Sequence, residues 1–326
     1  MPSGTRKTII VGIDEAGYGP ILGPLVVSAC AFEAPVELVD ACLWTTLSES
    51  TTSKGGSRDS RIVIQDSKKL FHRRDGLARL ERSMLSAMAA WREPPNGFVE
   101  LVRLLSPATP EAMAEYDWYR KPKIAIPCAA DDGAIRIAGR MLATELTANH
   151  MRMLGIGSEI LLEGHFNRLV DLTQNKASAL FGLVLRLIQR IAAAHPGASL
   201  TIYVDKQGGR GRYGTLLMRA FEDRQLRVVE ESDESSVYEL TNRTSTWRIS
   251  FSQGGETRHM PIALASITSK YLRELFMQAF NDYWRANAAD VTPTAGYYED
   301  GMRFLKDIEP HVRRLGIREE QLVRQR

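Results

Sequence analysis

Apolar residues run almost unbroken from Thr8 to Ile13 and stop at two adjacent carboxylates, Asp14 and Glu15. A short apolar run bounded by a glycine-containing turn is the pattern of a buried strand. Gly23 to Phe32 has the same character, and its nearness predicts antiparallel pairing with the first strand across the loop Gly17-Tyr18-Gly19-Pro20. Further on the period changes. Leu77 to Trp91, Ile135 to Leu154 and Ala177 to Ala194 repeat apolar residues at helical spacing. The short run Ile160-Leu161-Leu162 and a strand at Leu200 to Val204 bracket the last of these, which implies a strand-helix-strand crossover and some parallel pairing. Arg227 to Glu231, Val237 to Leu240 and Trp247 to Ser252 read as further strands, and Pro261 to Trp284 as one long helix. Ser48 to Ser60 has the small, polar composition of a mobile surface loop, and Leu101 to Pro127 is broken by prolines. The alternation predicts an α/β protein with a mixed central β-sheet flanked by helices.

Composition narrows the function classes. The 326 residues carry 42 Lys plus Arg against 39 Asp plus Glu, so any surface that attracts nucleic acid has to be local. Cys30, Cys42 and Cys128 are an odd, widely spaced trio without a CxxC pair, which argues against a disulfide framework or a zinc ribbon and fits a reducing cytoplasm. No stretch approaches about 18 uninterrupted apolar residues, so neither secretion nor membrane insertion is expected. The six histidines have no ligand-like spacing.

The candidate chemistry lies where strands end on acid. Successive strand side chains point to opposite faces, so Asp14 and Glu15 share a site only if the chain bends away there, as Gly17 and Gly19 permit. Thr201 to Asp205 repeats the arrangement and runs into Lys206 and the glycine-rich Gln207-Gly208-Gly209-Arg210-Gly211-Arg212. Sites in α/β sheets lie outside the carboxyl ends of strands, so the two acidic ends converge if their strands are neighbours, with Lys206, Arg210 and Arg212 as phosphate contacts. Asp66-Ser67-Lys68-Lys69 reads as a capped helix start whose lysines also suit a phosphate backbone. In the helix Pro261 to Trp284, Leu264, Ile267, Tyr271 and Leu275 form the core stripe, with Ser266, Lys270 and Glu274 beside it. Glu274 there either reaches an active site or pairs with Lys270 one turn away.

Four segments, in order, resemble the type 2 ribonucleases H, that is, ribonuclease HII and its relative ribonuclease HIII. GIDEAGYGP followed by GPLVV is similar to that family's GIDEAGRGP and GPVV, and QDSKKL to its DSKKL. YVDKQGG is similar to its strand ending on Asp, and ALASITSKYLRELFM to its ASIIAKxxRDxxM helix. The resemblance implies an RNase H-like fold with insertions and a metal-dependent endoribonuclease that hydrolyses the RNA strand of RNA-DNA hybrids to 5'-phosphate and 3'-hydroxyl ends. It implies two divalent ions, Mg2+ or Mn2+, held by Asp14, Glu15, Asp205 and Glu274, and substrate contacts from Gly17, Tyr18, Gly19, Lys68, Lys69, Lys206, Arg210, Arg212, Lys270 and Tyr297. Nucleic acid is the expected partner, with no obligate protein partner. The alternatives are a metal-dependent nuclease on another structured nucleic acid and a hybrid-binding protein without catalysis. Two positions depart from ribonuclease HII: Tyr18 stands where it has Arg, and Glu274 where it has Asp. The expected organisation is a catalytic domain over 1–290 with inserted loops at about 45–61, 97–132 and 237–253, followed by a helical extension over 291–326 packed on it.

Overall fold

The computed structural model describes residues 6–55, 59–71, 75–206 and 210–325. Gln207, Gly208 and Gly209, the centre of the glycine-rich segment, lie outside the described residues. The seven strands of the central sheet are β1 (Lys7–Ala16), β2 (Leu25–Pro35), β3 (Arg152–Leu161), β4 (Leu200–Asp205), β5 (Gln225–Glu231), β6 (Ser235–Thr241) and β7 (Thr246–Ser252). Their spatial order is β3-β2-β1-β4-β7-β6-β5. The sheet is mixed: β1, β4 and β7 run parallel at its centre, and antiparallel strands close both wings. The expected α/β class, a mixed sheet flanked by helices, is the one observed.

Alternation along the strands sorts two cores. Ile10, Val26, Cys30, Phe32 and Tyr203 face α1 (Gly76–Ala89), α2 (Asp132–Ala148) and the long α5 (Met260–Asn287). Ile9, Val11, Ile13, Val27, Ile202 and Val204 face α3 (Glu163–Thr173) and α4 (Lys176–Ala194). The helix α4 has the length and apolarity of a membrane span, but Leu180, Leu183, Val184, Leu187 and Ile188 pack it on the sheet. A last long helix, α6 (Tyr298–Leu315), follows α5.

The helix α5 lies unusually close to β1. A Cβ on Gly12 would stand 2.0 Å from the carbonyl carbon of Pro261 and 2.2 Å from Ile262 N, so only glycine fits. The approach lets Ser269 Oγ donate to the Asp14 carbonyl at 3.0 Å and fixes α5 along the strand that carries the acids. From the other side, the buried Glu81 of α1 accepts from Tyr271 Oη at 2.6 Å and from the N-H groups of Cys128, Ala129 and Ala130. One carboxylate thus joins α1, α5 and the segment leading into α2.

Three expectations change. The helix read over Ile135 to Leu154 ends at Ala148, and Arg152 onward is strand; Met151 and Leu154 keep helical spacing, but the chain turns at His150 (φ 55°) before them, and Arg152 to Leu154 already belong to the edge strand β3. Only the end of that strand, Ile160 and Leu161, was visible as an apolar run. Secondly, Ser48 to Ser60 is anchored where it is described. Glu49 N and Ser50 N donate to the Glu145 carboxylate, and Thr51–Thr52 pairs with Ile62–Val63. Thirdly, the chain does not bend at Asp14. Pairing with β2 continues to Ala16↔Val26, while pairing with the parallel neighbour β4 stops at Ile13↔Val204.

The outer strand β5 is exposed or half-buried along its whole length, with Val228 and Val229 among the exposed residues. Its pairing with β6 slips between Val228 and Glu230.

Gly12→Ala should destabilise the protein by about 3 kcal/mol or more, because backbone rather than a flexible side chain blocks the methyl group. Urea denaturation of the two proteins measures this; a loss below about 1 kcal/mol would contradict so close a helix approach.

Candidate active site

Because β4 ends before β1 does, the last residues of β1 have one free side, and both faces of the strand border the same opening. Asp14, Glu15 and Asp205 accordingly line a single cavity of about 250 Å³, together with Gly17, Tyr18, Gly19, Ser67, Lys68, Glu256, Ser266, Lys270, Arg273 and Tyr297.

Each acid is held by a neighbour. Asp14, 8% exposed, accepts from Glu15 N at 2.7 Å and from the Ser266 hydroxyl. Ser266 Oγ lies 3.0 Å from Ser67 Oγ, which ties α5 to the short helix Ser67–Leu70. Asp66 caps that helix through Lys68 N at 2.8 Å and so sets Lys68 beside Glu15 and Asp205. Asp205 Oδ1 accepts from Gly255 N at 2.8 Å.

Burial, and then repulsion from Glu15 and Asp205, raises the Asp14 carboxyl well above the ordinary range. Burial first and Asp205 second push Glu15 up to about 7; Lys68 pulls it down. Burial and the neighbouring Glu256 push Asp205 up to about 6, against the Gly255 N-H. Like charges are therefore packed without full compensation. Their oxygens are not drawn to a common point: among the described residues, no group of three or more Asp, Glu, His or Cys side chains forms a ready-made ligand set. The donors are all carboxylate oxygens, the chemistry of hard divalent cations, and a bound cation would remove the repulsion that the raised values report. The residues present thus fit Mg2+ or Mn2+.

Not every expected residue reaches the cavity. Glu274 does not line it: its carboxylate takes Lys270 Nζ at 2.6 Å and lies 3.9 Å from Arg273 Nη1. It holds Lys270, whose Nζ also stands 4.5 Å from the Phe71 ring, at the cavity's rim. Two further acids border the cavity: Asp66, whose carboxylate is spent on capping the Ser67–Leu70 helix, and Glu256, in the turn Gly255–Thr257 between β7 and α5. Sequence reasoning missed Glu256, although the signal was there: Trp247 to Ser252 is a strand followed by Gly254, Gly255 and an acid. Since β7 is the parallel neighbour of β4, its end falls beside Asp205.

The basic residues divide. Lys68 and Lys270 line the cavity, whereas Lys69 does not. Lys206 turns to the carbonyls of Ser232 and Asp233, at 3.1 and 2.7 Å. Burial and then Glu15 raise the Tyr18 hydroxyl, and Arg210, 5.5 Å from the Phe181 ring, offsets part of that rise, while the exposed Arg212 faces Glu231 at 3.8 Å. Tyr18 packs with Lys176 Nζ 5.0 Å from its ring, and the half-exposed Tyr297 stands 5.9 Å from the guanidinium carbon of Arg273.

Together these features describe a mixed α/β protein with a carboxylate-lined cavity at the ends of its central parallel strands. No family model and no curated protein sequence matches the chain. Among solved structures it is similar to a chain of the PCNA:RNase HII complex from Archaeoglobus fulgidus, with 15% identity, TM-score 0.43, and 98% of this chain and 94% of that one covered. It is also similar to Bst-RNase HIII in complex with Mn2+ (14% identity, TM-score 0.41, covering 99% and 70%). A third similar structure is the ribonuclease H2 from Pyrococcus horikoshii OT3 (13% identity, TM-score 0.38, covering 96% and 92%).

Because the folded-state values of these acids are raised, their contribution to stability is fully present below the ordinary carboxylate range and is lost as pH rises through about 6 to 7. The metal-free protein should therefore lose stability from pH 5 to pH 8. Added Mn2+ should raise Tm by a few °C at pH 8 and by much less at pH 5, where protons compete. Asp205→Asn should raise the metal-free Tm at pH 8 and shrink the Mn2+ shift; scanning fluorimetry over this pH range checks both, and a shift independent of pH would exclude carboxylate ligation.

Proposed function

We propose that this protein is a metal-dependent endoribonuclease that cleaves the RNA strand of RNA-DNA hybrids, leaving 5'-phosphate and 3'-hydroxyl ends. The observation that carries the reading is the meeting of Asp14, Glu15, Asp205 and Glu256 in one cavity whose rim holds Lys68 and Lys270. The four family-like segments contribute to that same cavity, three through their acids or lysines and the helix segment through Ser266 and Lys270.

Asp14, Glu15, Asp205 and Glu256 would hold one or two Mg2+ or Mn2+ ions. Bound there, the ions supply activation of water and neutralisation of charge on the phosphate and the leaving 3'-oxygen. The protein's own groups do the rest. Lys68 and Lys270 meet phosphate oxygens, and the Glu274 carboxylate keeps Lys270 from swinging into solvent. The loop Gly17–Gly19 presents backbone close to the ribose, and Gly17, with φ 88° and no room for a Cβ beside Pro24 O, permits that approach. Tyr297, half-exposed at the cavity's edge, offers a ring face to a sugar or base.

Tyr18 favours a second substrate class. An Arg at this position would bring a guanidinium to phosphate, whereas Tyr18 brings an aromatic ring beside Lys176 and Arg210. Metal-dependent cleavage of another structured nucleic acid is the corresponding second reading.

The test is a cleavage panel of a continuous RNA-DNA hybrid, DNA carrying one ribonucleotide, duplex RNA and branched DNA, in Mg2+ and separately in Mn2+. Cutting of the hybrid that disappears in Asp14→Asn and Asp205→Asn is expected; cutting only of branched DNA or duplex RNA would select the second reading, and tight binding without hydrolysis would mark a binding protein. Within the panel, Glu256→Gln should lower kcat by about a hundredfold or more, as loss of a ligand does. Glu274→Gln should instead raise KM by about tenfold with little change in kcat, since it acts through Lys270. Equal kcat losses in the two variants would return Glu274 to the ligand set.

A further inference from the structure

Behind the loop Gly17–Pro20, on the side away from the cavity, lies a buried guanidinium 307 residues distant in the chain. Arg324 is 2% exposed, and its Nη2 donates to both the Gly17 and the Pro20 carbonyls. Its backbone N-H donates to Ile21 O at 2.8 Å, and the Phe166 ring lies 4.7 Å from its guanidinium carbon. The segment around it is tied down independently: Asn167 Nδ2 donates to the carbonyls of Glu320 and Val323, and Asn167 Oδ1 accepts from Gln325 N at 2.8 Å. Arg273 completes the backing by donating to Leu22 O and Ala295 O, at 3.0 and 3.2 Å. Arg324 Nε and Nη1 and Arg273 Nε find no acceptor among the described residues. Arg324 therefore stands behind the loop, and Arg273, which also borders the cavity, ties the residues that follow it; packing alone would place apolar side chains at both buried positions.

The consequence follows from the planarity of the peptide unit. In a trans peptide the C=O and the next N-H point in opposite directions. With the Gly17 carbonyl turned inward onto Arg324, the N-H of Tyr18 points outward, towards the cavity that Gly17, Tyr18 and Gly19 line. It has no acceptor among the described residues. The Pro20 carbonyl is pinned in the same way, and there the following N-H, of Ile21, donates to Gly296 O. Burial, and Arg273 beside it, push the Arg324 guanidinium down, yet it remains protonated at neutral pH.

We propose that Arg324 is a positioning residue for the loop Gly17–Pro20: it fixes the peptide plane that turns the Tyr18 N-H towards a backbone oxygen of the nucleic acid, and thereby makes the segment Val323–Gln325 part of the active site. Its role in binding rests on the reading of the cavity as a nucleic-acid site; its role in shaping the loop does not. Nothing in the motif segments pointed to it.

The test combines amide hydrogen exchange of the free protein with steady-state cleavage of hybrid, for Arg324→Ala, Arg324→Lys, Asn167→Ala and Asp14→Asn. Arg324→Ala should speed exchange across 17–22 by about tenfold or more while leaving β4 protected. It should raise KM about tenfold and leave kcat within about twofold. Lysine, which keeps the charge but loses the fork, should restore part of both effects. Asn167→Ala, which loosens the segment without touching the loop, should give a weaker version and carries the test if Arg324→Ala does not fold. Asp14→Asn should abolish cleavage with exchange at 17–22 unchanged. Unaltered loop exchange in Arg324→Ala, or a loss confined to kcat, overturns the proposal. If the wild-type protein cleaves no hybrid, the functional reading fails on its own, and loop exchange still decides whether Arg324 holds the loop.

Discussion

Carboxylates buried side by side repel, and much of the local structure around the cavity is arranged to hold them together regardless. Asp14, Glu15 and Asp205 arrive on two adjacent parallel strands whose ladder fixes their separation before any side chain matters. The backbone N-H groups of Glu15 and Gly255, the Ser266 hydroxyl and Lys68 each stabilise the ionised forms a little, but burial and mutual repulsion prevail. Such an arrangement persists only if the surrounding scaffold is more rigid than the repulsion is strong. The close seating of α5 at Gly12, the Ser269 bond to the Asp14 carbonyl and the Glu81 junction supply that rigidity.

What could be read from sequence follows from how local each feature is. Asp14, Glu15 and Asp205 were legible because an apolar strand ending on acid and then glycine is a local pattern. The mixed sheet was legible because strand and helix periods alternate. Glu256 was not singled out, because its place depends on β7 lying beside β4, a pairing between residues about fifty apart that no local pattern states. Glu274 stayed open for the converse reason: its spacing beside the core stripe of α5 is compatible with reaching the site and with the Lys270 pair, and it is the pair that the side chain makes. Along Ile135 to Leu154 two periods overlap, so the helix was overrun into the strand that follows.

Charge offers the same lesson on a larger scale. A net charge of +3 says little, and of the six basic residues singled out only Lys68 and Lys270 line the cavity. Lys206, next in sequence to the cavity acid Asp205, is turned aside by two carbonyls of the β5–β6 turn. Neighbourhood in the chain is thus a poor guide to neighbourhood around the acids, whereas the ends of the parallel strands are a good one.

A sheet of seven strands has to stop somewhere, and β5 is where this one stops in solvent on the side beyond β7. An open edge is ordinarily a template onto which another chain can add a strand. The slip between Val228 and Glu230 disturbs the regular spacing of the outward-facing amides and carbonyls, and Arg227, Glu230 and Glu231 place charges of both signs along the same short stretch. A copy of the chain approaching this edge would meet an uneven row of hydrogen-bonding groups and would have to strip water from those charges, so the exposed Val228 and Val229 can stand at the margin without seeding a growing stack of sheets.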